Sequence, residues 1–514
     1  MSKTIIIIGA GLAGLSAALQ AAENGCNVKL VSSLPSERAQ SVMAEGGINA
    51  ALNTKDENDS PEEHFTDTIK AACGLADPNA VWGMTQAAPE LVHWLLKLGV
   101  KFNMSGYDDV DLRNFGGQKK KRTAFAQSDT GKQIMTAMID AVRRKEASGM
   151  VERFSHHSFL TLRLCGNICC GCVIRDEYSQ ETVELPGDAV IVATGGMHGL
   201  FGNTTGSLSN TGEVTAELFR LGVPLANGEM IQYHPTTVKC GGKRMLISEA
   251  ARGEGGRLFA MKDGKQWYFM EEKYPELGNL MPRDITAREI WKVSHESEVF
   301  LDMTEISDEI ISNKLSGLAD DCMTYLHKDI RKEPVSVLPG IHYFMGGILV
   351  DEQHRTPIQN LYAAGECCAQ YHGANRLGGN SLLGALYGGR VAAKSACEQA
   401  DVVDLSCATQ IDVPPASQIS EIKQLNKVMQ ETMGVVRNEN TLLNGIQTVQ
   451  ALTGNLPLLG MAVLKSALAR KESRGAHWRE DYPKSNDDDY LKTTVARFDG
   501  KQIQISFVPV PERR

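Results

Sequence analysis

Gly9, Gly11 and Gly14 stand in the string GAGLAG, spaced as G-x-G-x-x-G. At that spacing the first glycine permits a tight turn, the second lets a pyrophosphate reach the backbone, and the third lets a helix pack closely on a strand. The chemistry on offer is capture of a dinucleotide at a helix N-terminus, with Leu12 and Ala13 in the same turn. The motif alone suits NAD or FAD equally. An acidic residue usually ends the second strand and holds the ribose; Ser32 or Ser33 stands there instead, so that contact is expected from a hydroxyl. A second bare stretch, RAQSVMAEGGINAAL over 38–52, keeps small residues where a core element would place bulky ones, as close approach of a large group requires.

These residues need a frame. TIIII (4–8), a helix from the glycine turn through Ala22 and NVKLVSS (27–33) read as a βαβ unit opening a parallel sheet. DAVIVATGG (188–196), carrying Thr194 and Gly195, and NLYAAGE (360–366), ending on Glu366, read as further strands of that sheet. Both end in small residues, where an open α/β sheet meets its ligand. A stretch from about 225 to 345, running from QYHPTT to IHYFMGG, interrupts the sheet and reads as an inserted domain. Beyond about 415 the pattern turns helical (SEIKQLNKVMQETMGVV, LLGMAVLKSALARKES) and closes on a β-like tail, KQIQISFVPV.

At 514 residues the chain is long enough for about three domains of ~150 residues. Its composition, 42% hydrophobic and 22% charged, is that of a globular protein, and a net charge of −9 argues against a nucleic-acid partner. No apolar run approaches the ~20 residues of a membrane span, and the IIII near the start is too short for a signal peptide, so a cytoplasmic chain starting near Met1 is expected. The twelve cysteines are scattered through apolar segments and are expected to be reduced thiols. Four of them, Cys165, Cys169, Cys170 and Cys172, cluster in CGNICCGC, which reads as a hairpin turning at Gly166-Asn167 with cysteine as a small strand hydrophobe; no metal ligation is expected. KKKR (119–122) and NDDDY (486–490) read as solvated loops, and His156-His157 as non-functional.

HGANRLGGNSLLGALYGGR (372–390), QYHPT, LISEAARGEGG, PRDITAREI, HYFMGGI and ARKESRGAH, in that family's motif set, resemble the flavoprotein subunit of fumarate reductase and succinate dehydrogenase. L-aspartate oxidase is a close relative of that family. The resemblance spans nearly the whole chain and implies FAD as the cofactor. The fold it implies is α/β: a Rossmann-like FAD-binding domain (1–224 and 346–410), an inserted α+β capping domain (225–345), and a C-terminal helical domain with its tail (411–514). It also places Ser41, Ala44, Glu45, Gly46 and Gly47 against the isoalloxazine and pyrophosphate, and Thr194, Gly195, Glu366, Arg376, Ser381 and Leu382 among the cofactor contacts. Gln40 departs from the pattern: many membrane-bound relatives carry there a histidine bonded to the flavin. An amide cannot form that bond, so the FAD is expected to be tightly but non-covalently bound.

By the same resemblance His234, His342 and Arg376 bind the carboxylates of a dicarboxylate, Phe115 lines its pocket, and Ser248 retains a hydroxyl where the family more often has threonine. Glu249 and Arg252, at i and i+3, belong on one face of a helical turn. Arg283 matches the family's proton donor. Arginine is by type a very weak acid, so that role requires proximity to the substrate and a relay through Glu249 and Arg252 that restores the proton at once. The expected activity is reduction of fumarate to succinate, or their interconversion. L-aspartate oxidation and reduction of another enoate are the alternatives within the chemistry, and a flavin-binding scaffold or an RNA-modification protein is the alternative outside it. The chain carries no iron–sulfur or haem motif, so an iron–sulfur subunit or another electron-donor protein is the expected partner. That partner would leave the chain cytoplasmic, or peripheral on the inner face of the cell membrane, with no span of its own.

Overall fold

Ile5, Ile6 and Ile7 are completely buried and Ile8 nearly so, because the strand they form, Thr4–Ile8, lies at the middle of a parallel sheet. A strand covered on both faces needs a continuous apolar run, not an alternating one. In the computed structural model, which describes residues 2–401, 411, 413 and 418–514, the sheet runs Leu361–Ala363, Ala189–Val192, Thr4–Ile8, Asn27–Ser32, Val151–Ser155. All four pairings are parallel. The edge strand Val151–Ser155 is an addition to the strands read from the sequence.

The helix after the glycine turn, Leu12–Glu23, packs on the long helix Asn380–Gln399. Ser16 Oγ donates to the Leu386 carbonyl at 2.7 Å, and a Cβ at Gly389 would lie 2.3 Å from the Ala13 carbonyl, so glycine alone permits this approach. The two ends of the nucleotide-binding region thus meet directly.

Between them, Lys243–Leu246, Ile231–Cys240 and Leu338–Phe344 form an antiparallel sheet. A second sheet, Lys265–Trp267, Arg257–Lys262, Val299–Asp302 and Val335–Ser336, packs with the helix Arg283–Val293 around a core of Ile247, Leu258, Phe269, Ile290 and Leu301. Phe115, from the nucleotide-binding region, joins that core. Helices Ile419–Thr432, Glu439–Val449 and Asn455–Ala469 follow, the helical region expected near the C-terminus. The junction placed at 410 lies outside the described residues.

The tail forms the strand Ile503–Pro509, which pairs with Lys492–Phe498. That strand pairs in turn with Leu225–Ala226, which pairs with Gly347–Leu349, so the tail joins the two ends of the inserted segment in one sheet. ARKESRGAH lies beside it: Arg470 is buried, its Nε donating to Glu229 at 2.7 Å and its Nη1 to Glu472 at 2.7 Å.

CGNICCGC is the expected hairpin, with strands His157–Cys165 and Ile168–Asp176 and with Cys169, Cys170 and Cys172 buried. Ten described cysteines are free thiols, whereas Cys165 is disulfide-bonded, against the all-reduced expectation. KKKR is not wholly solvated: Arg122 is fully buried, 2.8 Å from Asp59 and 2.9 Å from Asp67, carboxylates too distant in sequence to be foreseen. NDDDY becomes a short helix, Asp487–Tyr490, capped by Asn486 and tied to Arg474 through Asp487. No described helix is long and apolar enough to cross a membrane.

Candidate active site

The turn after Thr4–Ile8 has the geometry its glycines foretell. Gly9 adopts φ +111°, and a Cβ there would lie 2.2 Å from the Ala193 carbonyl; a Cβ at Gly14 would lie 1.8 Å from the Gly9 carbonyl. Both positions therefore exclude any side chain. Gly11 sits beside Ser41, whose Oγ accepts from the Leu12 N–H at 3.3 Å, so the bare stretch 38–52 folds against the phosphate turn. The helix that begins at Thr130 holds it there: Gly131 N–H donates to the Ala44 carbonyl at 2.7 Å. Gly47, at φ +135°, lies where a Cβ would meet the Ala124 carbonyl at 2.5 Å.

The residues fit FAD. Ser32, at the end of the second strand, buries an Oγ with no protein partner, as a hydroxyl reserved for a ribose would. Thr194 and Gly195 follow Ala189–Val192; Glu366 follows Leu361–Ala363 and accepts from the Phe344 N–H at 3.1 Å. Ser381 and Leu382 occupy the first turn of Asn380–Gln399, and a free helix N-terminus suits a phosphate. Gln40 faces this region, its Oε1 accepting from the Ser207 N–H at 2.5 Å. Glu45 is half-buried, with its Oε2 covered and without a hydrogen-bond partner among the described residues. Burial first and then the Asp321 charge push its carboxyl up to about 8, against the opposing pull of Arg113.

Across the cleft Ser248 caps the helix Glu249–Gly253, which puts Glu249 and Arg252 on one face as their spacing requires. Glu249 Oε2 accepts from Arg283 Nε at 2.8 Å and Nη2 at 2.5 Å, while Oε1 lies 3.5 Å from Arg252 Nη2 and accepts from the Gly116 N–H at 3.1 Å. Burial raises the Glu249 pKa, but the Arg283 and Arg252 charges, the Arg283 hydrogen bonds and the Gly116 N–H outweigh it and hold the carboxyl below its usual range. Glu249 is therefore an ionised carboxylate between two arginines.

His234 and His342 stand edge to face, ring centres 5.1 Å apart. Burial, reinforced by the Arg283 charge, drives both far below the ordinary histidine range, so both are neutral. Arg376 lies 4.2 Å over the Tyr343 ring with its Nε buried and unpartnered; burial and then Arg283 push its pKa down to about 9. An anion beside it would relieve both penalties. Phe115 is wedged in place: a Cβ at Gly46 would lie 2.9 Å from its ring, and one at Gly378 would lie 2.9 Å from the ring and 2.8 Å from Glu249 Oε2. The eight residues named from the sequence for substrate and proton transfer thus lie close together.

The sequence reading missed four participants. Gln232 Oε1 accepts from Arg283 Nη1 at 3.1 Å. It sits two residues before His234 on the same strand, hence on the same face, a signal legible in QYHPT. Arg113 lies 4.0 Å over Phe125 with Nε and Nη1 unpartnered. His198 and Thr205 belong to a loop that no periodicity marks. Among the described residues no group of His, Cys, Asp and Glu is arranged to hold a metal.

Residues 4–382 match the family model described as FAD binding domain, and 452–513 match that described as Fumarate reductase flavoprotein C-term. The chain is 38% identical to the succinate dehydrogenase flavoprotein subunit of Bacillus subtilis, the alignment covering 100% of this chain and 98% of that one. It is 32% identical to the 8-methylmenaquinol:fumarate reductase flavoprotein subunit of Wolinella succinogenes, covering 100% and 92%. A solved structure of E. coli quinol fumarate reductase FrdA, a point variant, superposes with a TM-score of 0.90 at 27% identity, covering 99% of this chain and 97% of that one.

Proposed function

Because the chain belongs to the family of FAD-dependent fumarate reductase and succinate dehydrogenase flavoproteins, we propose that it reduces fumarate to succinate with electrons from a partner protein. The observation that carries this reading is the arginine–carboxylate–arginine relay set against three carboxylate-binding groups. Gly9–Gly14, Ser32 and Ser41–Gly47 would hold FAD, which when bound would supply the hydride.

The chain's own residues do the rest. Arg376, His234 and His342 grip the two carboxylates, the arginine as a bidentate fork and the neutral imidazoles as N–H donors. Phe115 excludes water from the reacting double bond. Arg283, fixed by Glu249 and by Gln232, delivers the proton to the carbon. Glu249, being ionised, has no proton of its own to give; it takes one from Arg252, 3.5 Å away, and by reorienting its carboxyl returns it to Arg283 once that guanidinium has given its proton to the substrate carbon. An iron–sulfur subunit is the proposed electron donor: the relatives named above are flavoprotein subunits, and this chain has no cluster motif.

The test is a reduced viologen dye with fumarate, beside L-aspartate plus oxygen. Fumarate-dependent dye oxidation without peroxide from aspartate is the expected result, and the reverse pattern would assign the chain to aspartate oxidation. Gln40 adds a directional expectation. Without a histidyl bond the cofactor should sit at lower potential, so fumarate reduction should far exceed succinate oxidation with an artificial acceptor; equal rates would refute that. The same residue predicts that acid precipitation leaves the yellow colour in the supernatant, and colour in the washed pellet would show a covalent link elsewhere.

A further inference from the structure

His342 is neutral, and a neutral imidazole donates from only one of its nitrogens. To bind a carboxylate through Nε2 it must carry its proton there, since an Nε2 lone pair would face the carboxylate's negative charge. Nδ1 must then accept a hydrogen bond, and something must donate it. The donor present is Thr205, whose Oγ1 lies 2.8 Å from His342 Nδ1.

The hydroxyl has one competing acceptor, the Ile341 carbonyl at 3.4 Å. That carbonyl already accepts from the Thr205 N–H at 3.0 Å, and the longer contact is the weaker one. We infer that Thr205 is a positioning residue that fixes His342 as the Nε2–H tautomer and so points a donor at the substrate carboxylate.

The preceding residue repeats the arrangement. Thr204 Oγ1 accepts from the Gly206 N–H at 3.1 Å, which leaves its proton for His198 Nδ1 at 3.0 Å. His198 Nε2, buried without a hydrogen-bond partner, then faces Glu366 Oε1 at 3.7 Å. The loop holding both threonines is tied down at Gln40 through the Ser207 N–H. One short loop therefore orients two imidazoles, His198 buried and His342 half-buried, and meets the flavin-side stretch.

This inference rests on the dicarboxylate reading of the site, so its test has a part that needs no substrate. In ¹⁵N-histidine-labelled holoprotein, with the His342 signal assigned by its loss in His342→Gln, the expected spectrum has Nε2 protonated and Nδ1 bare. A Nδ1-protonated His342 in the wild type would overturn the inference while leaving the proposed reaction standing. Thr205→Val keeps the shape and removes the donor. It should weaken malonate and raise KM for fumarate about tenfold, the loss of one hydrogen bond to a charged group, with much less effect on kcat. Thr205→Ser should restore both constants and the tautomer. Unchanged KM in Thr205→Val, or failure of serine to rescue, would overturn the role. A wild type that binds malonate nowhere would overturn the dicarboxylate reading, and this inference with it.

Discussion

Arg283→Lys loses most of its kcat while malonate affinity stays close to that of the wild type. The guanidinium is held at three points, Nε and Nη2 on Glu249 and Nη1 on Gln232, and that fork fixes the direction of the delivered proton. Lysine keeps the charge but offers a single nitrogen at another reach, so it cannot satisfy Glu249 and Gln232 together. Losing an aligned general acid typically costs on the order of 10²–10⁴ in rate. The check is kcat in the viologen assay beside malonate titration of the flavin spectrum. A kcat within a few-fold of wild type would assign proton delivery to another group.

Arg376→Ala is expected to weaken malonate by about 2–5 kcal/mol, the usual cost of removing one partner of a desolvated charged pair. Its Nε has no protein partner and its plane rests on Tyr343, so the site already bears the penalty of a buried cation and recovers it only when an anion binds. The flavin content of the variant must be measured in parallel, because Arg376 also stands among the expected cofactor contacts. Unchanged malonate affinity at full flavin content would remove Arg376 from the substrate site.

What could be read from the sequence follows from the range of the interactions involved. The βαβ opening was legible because its glycines, its apolar run and its helix act over adjacent residues. Glu249 and Arg252 were legible as one face because i and i+3 meet on any helical turn. Arg122 was not: its partners Asp59 and Asp67 lie some distance up the chain, and three neighbouring lysines disguised it as surface. Gln232 was readable, since alternation along a strand pairs it with His234, but Thr205 was not, because loop residues carry no period. The raised pKa of Glu45 also lay beyond sequence, for it depends first on burial and then on Asp321 and Arg113 arriving beside it through the fold.

The packing of Leu12–Glu23 on Asn380–Gln399 has a consequence for biosynthesis. Ser16 meets Leu386 across 370 positions, and the strand Leu361–Ala363 that completes the sheet also emerges late. During translation the glycine turn leaves the ribosome with its backing helix still unmade, a delay of roughly 20–75 s at ordinary elongation rates. The nascent chain carries half a cradle, with the apolar side of Leu12–Glu23 uncovered, and depends on chaperones until the second half arrives. A cradle whose halves lie 370 positions apart is therefore expected to take up FAD late, once the residues around Leu386 have emerged.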